Sequence, residues 1–177
     1  MNVVKSAKVI TVSILLVIFA LSVLAAVYVY SSTDAMKADE DIIREHGFPN
    51  KRIVHSFEHD NRKIIFYEQL RTDQIGVVCL EKSWFSQKVK GSGGFLVRNS
   101  TNQVNWAFTQ LNLDKENGLP ILYGVIDSHH TQLEVEYISN GKVTVDKAII
   151  TQDSGDESFW YLILDTAFED KPPIFHF

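Results

Sequence analysis

Residues 9–30 read Val-Ile-Thr-Val-Ser-Ile-Leu-Leu-Val-Ile-Phe-Ala-Leu-Ser-Val-Leu-Ala-Ala-Val-Tyr-Val-Tyr, with no charge, glycine or proline. As a helix this stretch reaches about 33 Å, enough to cross a hydrocarbon core of about 30 Å. It predicts a single transmembrane anchor over residues 9–30, so the rest of the chain is sorted by a membrane. Lys5 and Lys8 precede the run, whereas Asp34, Asp39, Glu40 and Asp41 follow it with Lys37 as the one nearby base. Basic flanks are retained on the cytoplasmic side, which places residues 1–8 inside and residues 31–177 outside the cell membrane. Tyr28 and Tyr30 fall at the outer interface, where amphipathic rings are favoured. The competing reading is a cleaved signal peptide ending near Val23-Leu24-Ala25. Against it, the run outlasts the roughly 7–15 apolar residues of a signal core and continues through Val27 and Val29.

The part beyond the anchor is the size of one domain, large enough to bury a core of its own. The chain carries a net charge of −5, and with Lys5 and Lys8 on the inner side the external part is more acidic still. An acidic surface without a basic stripe gains nothing from phosphate backbones, so nucleic acid is excluded as a partner. There is one cysteine, Cys79, within Gly76-Val-Val-Cys-Leu80. A single thiol builds no disulfide framework. Flanked by Val77, Val78 and Leu80 with no base beside it, Cys79 reads as a small apolar core residue.

Ser31–Gly47 reads as a short polar helix, begun by Ser32, Thr33 or Asp34 and stopped by Gly47 and Pro49. With its linker it fills residues 31–50, leaving residues 51–177 as the external domain. There the grammar is that of strands. Arg52–Glu58 and Lys63–Glu68 flank the turn His59-Asp60-Asn61-Arg62. Ile75–Glu81, Phe85–Val89, Asn102–Gln110 and Ile121–Ile126 follow, with Gly91-Ser-Gly-Gly94 read as a flexible hairpin connection. Gln132–Ile138 and Val143–Ile150 are joined through Asn140-Gly141, the pair that a type I′ turn requires. Phe159–Leu164 is apolar on both faces and reads as a central strand. No helical period of 10–15 residues separates these strands, which argues against a parallel α/β sheet. The expected fold is mainly β: a transmembrane helix and a short juxtamembrane helix, then an antiparallel sandwich, open barrel or curved sheet. The tail, ending in Pro172-Pro-Ile-Phe-His-Phe177, is expected to tuck back onto a sheet.

Three groups of residues carry chemistry worth weighing. Gly91-Ser-Gly-Gly94 runs into Phe95-Leu-Val97 and not into a helix with a Lys-Ser/Thr pair, so it is no phosphate loop. Asp127-Ser-His129-His130 has the donor types of a metal site. On a strand His129 and His130 would point to opposite faces, so sharing an ion requires a turn there plus a ligand from His55, His59 or His176. The simpler reading is a solvated polar turn. There is no Gly-x-Ser-x-Gly elbow and no His-Glu-x-x-His helix, and Glu134 and Glu136 sit on the wet face of a strand. The third group is aromatic: Trp84 and Phe85, Trp106 with Phe108, and Phe159-Trp160-Tyr161. Large rings fill small β cores, and whichever of Trp84, Phe85, Trp106 and Trp160 stay exposed form a candidate patch for a protein or peptide.

The order Ile53-Val-His-Ser-Phe-Glu58, Ile64-Ile-Phe-Tyr67, Gly76-Val-Val-Cys-Leu-Glu-Lys82, Trp84-Phe85 and Gly91-Ser-Gly-Gly94 resembles small, uncharacterised membrane-anchored proteins of Bacillus-like Gram-positive bacteria. Ile121-Leu-Tyr-Gly-Val-Ile126 and Trp160-Tyr161 are similar in placement. Such relatives often carry a Gly-Trp-Lys-Trp-like segment where this chain has Phe85-Ser-Gln-Lys88. The resemblance implies a bacterial source and an extracytoplasmic β domain, and no activity. The expectation is a non-enzymatic binding or accessory module of the cell envelope. It needs no cofactor, is held in the cytoplasmic membrane by residues 9–30, and engages an envelope protein or peptide. The rival is an envelope hydrolase or metal-dependent enzyme using Asp127, His129 and His130.

Overall fold

The computed structural model describes residues 16–27, 39–82, 87–97, 104–112, 118–152, 156–166 and 171–177. The chain divides into two compact units, the first including residues 16–27 and the second the β domain. In the first, residues 16–27 form helix α1, where Ser22 Oγ donates to the Ile18 carbonyl at 2.9 Å. Such a bond back to the preceding turn satisfies a hydroxyl in an apolar helix. Among the described residues no helix is long and apolar enough to cross a membrane. Residues 9–15 and 28–30 of the expected anchor lie outside the described residues, so that expectation rests on sequence alone.

The second unit opens with helix α2, Asp39–Glu45. Gly47 follows with φ 87°, and the Phe48 and Gly47 amides donate to the Ile43 and Arg44 carbonyls at 3.0 and 3.1 Å. This is a Schellman stop, in which a residue without Cβ enters the left-handed region to satisfy the last carbonyls. Helix α2 therefore ends at Gly47, where the sequence places the stop; residues 31–38, including the expected caps, lie outside the described residues.

Among the described residues three antiparallel sheets follow, and they close into no barrel. The first has the order β1 (Asn50–His59), β2 (Arg62–Gln69), β3 (Gln74–Lys82), β4 (Gln87–Val97). The second runs β5 (Val104–Asn112), β6 (Gly118–Asp127), β10 (Glu157–Ile163), β9 (Ile149–Gln152). The third is β11 (Ile174–His176), β7 (Glu134–Ser139), β8 (Lys142–Lys147). Two hairpins close through two-residue turns with both central residues left-handed: Asp60 and Asn61 at φ 47° and 60°, Asn140 and Gly141 at φ 53° and 70°. That is the type I′ geometry, which matches strand twist.

The alternation of side chains across each strand turns the three sheets into layers. Ile64, Phe66, Ile75, Val77 and Cys79 of the first sheet pack against Ile121, Tyr123, Val125, Phe159 and Tyr161 of the second. The opposite face of the first sheet, with Ile65, Tyr67, Val78 and Leu80, is covered by Ile42 and Ile43 of α2. The opposite face of the second, with Leu122, Ile126, Trp160 and Leu162, is covered by Val135 and Tyr137 of β7. The order is helix, sheet, sheet, sheet. Strands β2, β3, β6 and β10 are buried on both faces, which explains their unbroken apolar runs.

Two sequence expectations are corrected here. Gly91-Ser-Gly-Gly94 is no hairpin loop; it lies within β4, an 11-residue strand. A Cβ on Gly93 would stand 2.1 Å from Thr109 Oγ1, the Gly94 amide donates to that hydroxyl at 3.2 Å, and the Tyr123 hydroxyl donates to the Gly94 carbonyl. Gly93 lets β4 and β5, the facing edges of two sheets, approach closely. The second correction concerns Val143–Ile150, which is two strands. Ala148 breaks the run, its amide donating to the Leu133 carbonyl at 2.9 Å, and the chain passes from the third sheet to the second.

Among the described residues, Glu68 is the buried charge. Burial acts to raise its pKa, but Lys51 Nζ at 2.9 Å and Arg52 Nε at 2.8 Å hold the carboxyl below its ordinary value. Its negative charge is thus compensated at the end of β2.

Candidate functional site

Of the five candidate residues within the described structure, Trp106 and Trp160 pack on Phe175 of the C-terminal strand β11, and His130 packs on Phe177 just after it. Trp84 and Phe85 lie outside the described residues. β11 pairs with β7 through Ile174↔Glu136, Phe175↔Val135 and His176↔Glu134. Alternation sends Phe175 inward, where its ring centroid is 5.6 Å from that of Trp160 and 6.4 Å from that of Trp106. His176 faces outward, with Nε2 at 3.1 Å from Glu136 Oε2. The next ring, Phe177, lies 4.3 Å from His130, which in turn lies 4.2 Å from His129.

The Asp127–His130 segment is a turn, as the metal reading required. Its backbone is pinned by Ser128 N–H to the Asp156 carbonyl at 2.8 Å and His130 N–H to the Asp127 carbonyl at 3.1 Å. The Asp127 carboxylate accepts the His129 amide at 3.3 Å and also bonds His129 Nδ1. These contacts, the amide first, hold its carboxyl below the ordinary range. Both side chains remain in solvent, at 55% and 68% exposure. Among the described residues no three of His, Cys, Asp and Glu converge to hold an ion. The distant ligands that a zinc site needs are occupied elsewhere. His176 is on Glu136, His59 is 3.5 Å from Asp60, and His55 is stacked among rings between the first two sheets.

His55 lies 5.2 Å from Tyr161, 6.2 Å from Phe159 and 6.3 Å from Phe57 by ring centroid. Burial lowers its pKa from the ordinary 6.5. The unfolded chain protonates here as pH falls through 6.5 while the folded chain resists. The stability gained from a neutral His55 is therefore present above that pH and is lost below it, down to the lowered folded value. Thermal melts at pH 7.5 and 5.5 are expected to show a smaller acid loss for His55→Phe than for the native chain.

Trp106 and Trp160 are brought together across Gly124, which pairs with both. Trp160 is fully buried and Trp106 half-buried. Their contribution is to the packing between the second and third sheets, where Gly124 leaves room for the indoles. The exposed apolar surface of this corner comes instead from Ile174 and Phe177, at 54% and 55% exposure. The tail that carries Phe175 and Phe177 folds back onto a sheet as expected, through the β11–β7 ladder, but no local pattern names the partners of these rings. Their partners lie on other elements, and only the β11–β7 ladder brings them there. Comparisons with known protein families, with curated proteins and with solved structures find no match for this chain.

Proposed function

We propose that this chain is a single-pass membrane protein, anchored by residues 9–30, whose β domain works outside the cytoplasmic membrane as a non-enzymatic binding or accessory module of the cell envelope. The observation that carries this reading is the division of the aromatic residues. Those of β2, β6 and β10 are consumed by the layered cores, while the corner at β11 offers Ile174, Phe177 and His129 to solvent. β11 is the outer strand of its sheet, so an extended segment of a protein partner can add along it, with Phe177 as an aromatic anchor. The resemblance to membrane-anchored proteins of Bacillus-like Gram-positive bacteria points the same way. The enzymatic alternative rests on the Asp127–His129 pair, which orients an imidazole as a general base requires.

Photo-crosslinking in intact cells tests the proposal, with the reactive group at position 174 or 177 and a control at exposed Asp60. One envelope protein joined from 174 and 177 but not from 60 supports it. The triple change Asp127→Ala, His129→Ala, His130→Ala is expected to leave that adduct and the fold in place. No adduct from 174 or 177, or a hydrolytic activity abolished by the triple change in a folded chain, rejects the reading.

A further inference from the structure

We propose that two copies of this chain associate through β8, paired edge to edge about a two-fold axis at Thr144, so that the third sheet runs on from one copy into the other. β8 ends its sheet, and among the described residues no strand pairs with its outer side. Natural edges are blunted by bulges, prolines or charges set against pairing. β1 and β4, the outer strands of the first sheet, both carry register irregularities. The β7–β8 ladder has none, running evenly from Glu134↔Lys147 to Ser139↔Lys142, and β8 contains no proline. Val143 and Val145 stand 64% and 50% exposed on it.

The charges on β8 favour its own copy. With Thr144 opposite Thr144, Val143 falls opposite Val145 and Lys142 opposite Asp146, and the two-fold axis repeats both pairs. Opposite charges, β-branched pairs and Thr–Thr pairs are the combinations that stabilise facing antiparallel strands. Sliding the register by one residue sets Lys142 against Lys147 and turns the sheet of the second copy over, putting its core face on the solvent side. Sliding it by two loses the Lys142–Asp146 match. The Tyr137 hydroxyl donates to Asp146 Oδ2 at 2.6 Å, which leaves Oδ1 for the ammonium of the second copy. The contact is isologous and therefore closes at two copies. It uses neither β11 nor the Asp127–His130 turn and is independent of the partner proposed above.

The full-length chain in its own membrane tests this with cysteine pairs. Cys79 is the chain's only cysteine; it is buried, and burial pushes its thiol up to about 11, so background oxidation is small. Thr144→Cys is expected to give a disulfide-linked dimer on mild oxidation. Lys142→Cys is expected to crosslink to a co-expressed Asp146→Cys copy and not to itself. Adding Lys142→Glu to Thr144→Cys replaces two attractive pairs by two repulsive ones and is expected to lower the dimer yield about tenfold. Position 142 is exposed, so the fold is kept, which circular dichroism verifies. A Thr144→Cys yield no higher than that of Asp60→Cys, or a yield that Lys142→Glu leaves unchanged, overturns the proposal.

Discussion

Gly124→Ala is expected to destabilise the β domain by about 3 kcal/mol, the upper part of the range for overpacking. Added to Gly124, a Cβ would stand 2.0 Å from the Asn105 backbone carbonyl and 2.8 Å from Trp160 Nε1. A flexible side chain can swing away from such a clash. A carbonyl in the paired strand β5 can move only with the ladder from Val104↔Ile126 to Asn112↔Gly118. The variant should therefore melt roughly 10 °C lower. Gly94→Ala is the matched control, because its Cβ would meet only the Phe108 carbonyl at an ordinary 3.7 Å. That change should fall within about 0.5 kcal/mol of the native chain. Equal losses at both positions, measured by denaturant unfolding, would show that β5 and β6 are not packed as described.

The second large effect is expected at Trp160. This indole is fully buried in the layer between the second and third sheets, beside Phe175. Trp160→Ala should cost about 4 kcal/mol through lost burial and the cavity left behind. Trp160→Phe should cost only about 2 kcal/mol, since it keeps a ring. The Nε1 that it removes is buried and has no hydrogen-bond partner among the described residues, so no bond is forfeited. A tryptophan serving as an exposed hot spot would behave differently, losing binding while the fold keeps its melting temperature. Unfolding curves for both variants separate the two roles.

What the sequence made legible was what is local. Asn140-Gly141 and Asp60-Asn61 announced their hairpins because left-handed backbone is demanded of two adjacent residues and few side chains tolerate it. Phe159–Leu164 read as a central strand because both its faces are dry, and β10 does lie between β6 and β9. The Gly91–Gly94 run misled because glycine serves turns and close approaches alike, and Thr109, which explains it, is distant in sequence. Likewise Asp127, His129 and His130 were legible as a polar turn. The return of the tail that ends in Phe177 onto a sheet was legible as well; the strand that receives it was not, since the ladder pairs residues such as Ile174 and Glu136 across a large loop. Trp160 as an interface residue and Trp160 as a core residue look the same in sequence; the layer formed by β7 and β11 decides between them.

The functional reading depends on residues 39–177 facing outward from a membrane. A membrane-impermeant maleimide applied to intact cells tests this most directly, using one chain with Asp60→Cys and another with Asn2→Cys. Asp60 is 80% exposed on its turn and so accessible to the reagent, while buried Cys79 stays silent. The account predicts labelling at position 60 in intact cells and at position 2 only after lysis, with both chains in the membrane fraction. Labelling at position 60 only after lysis, or recovery of the chain outside the membrane fraction, would contradict it.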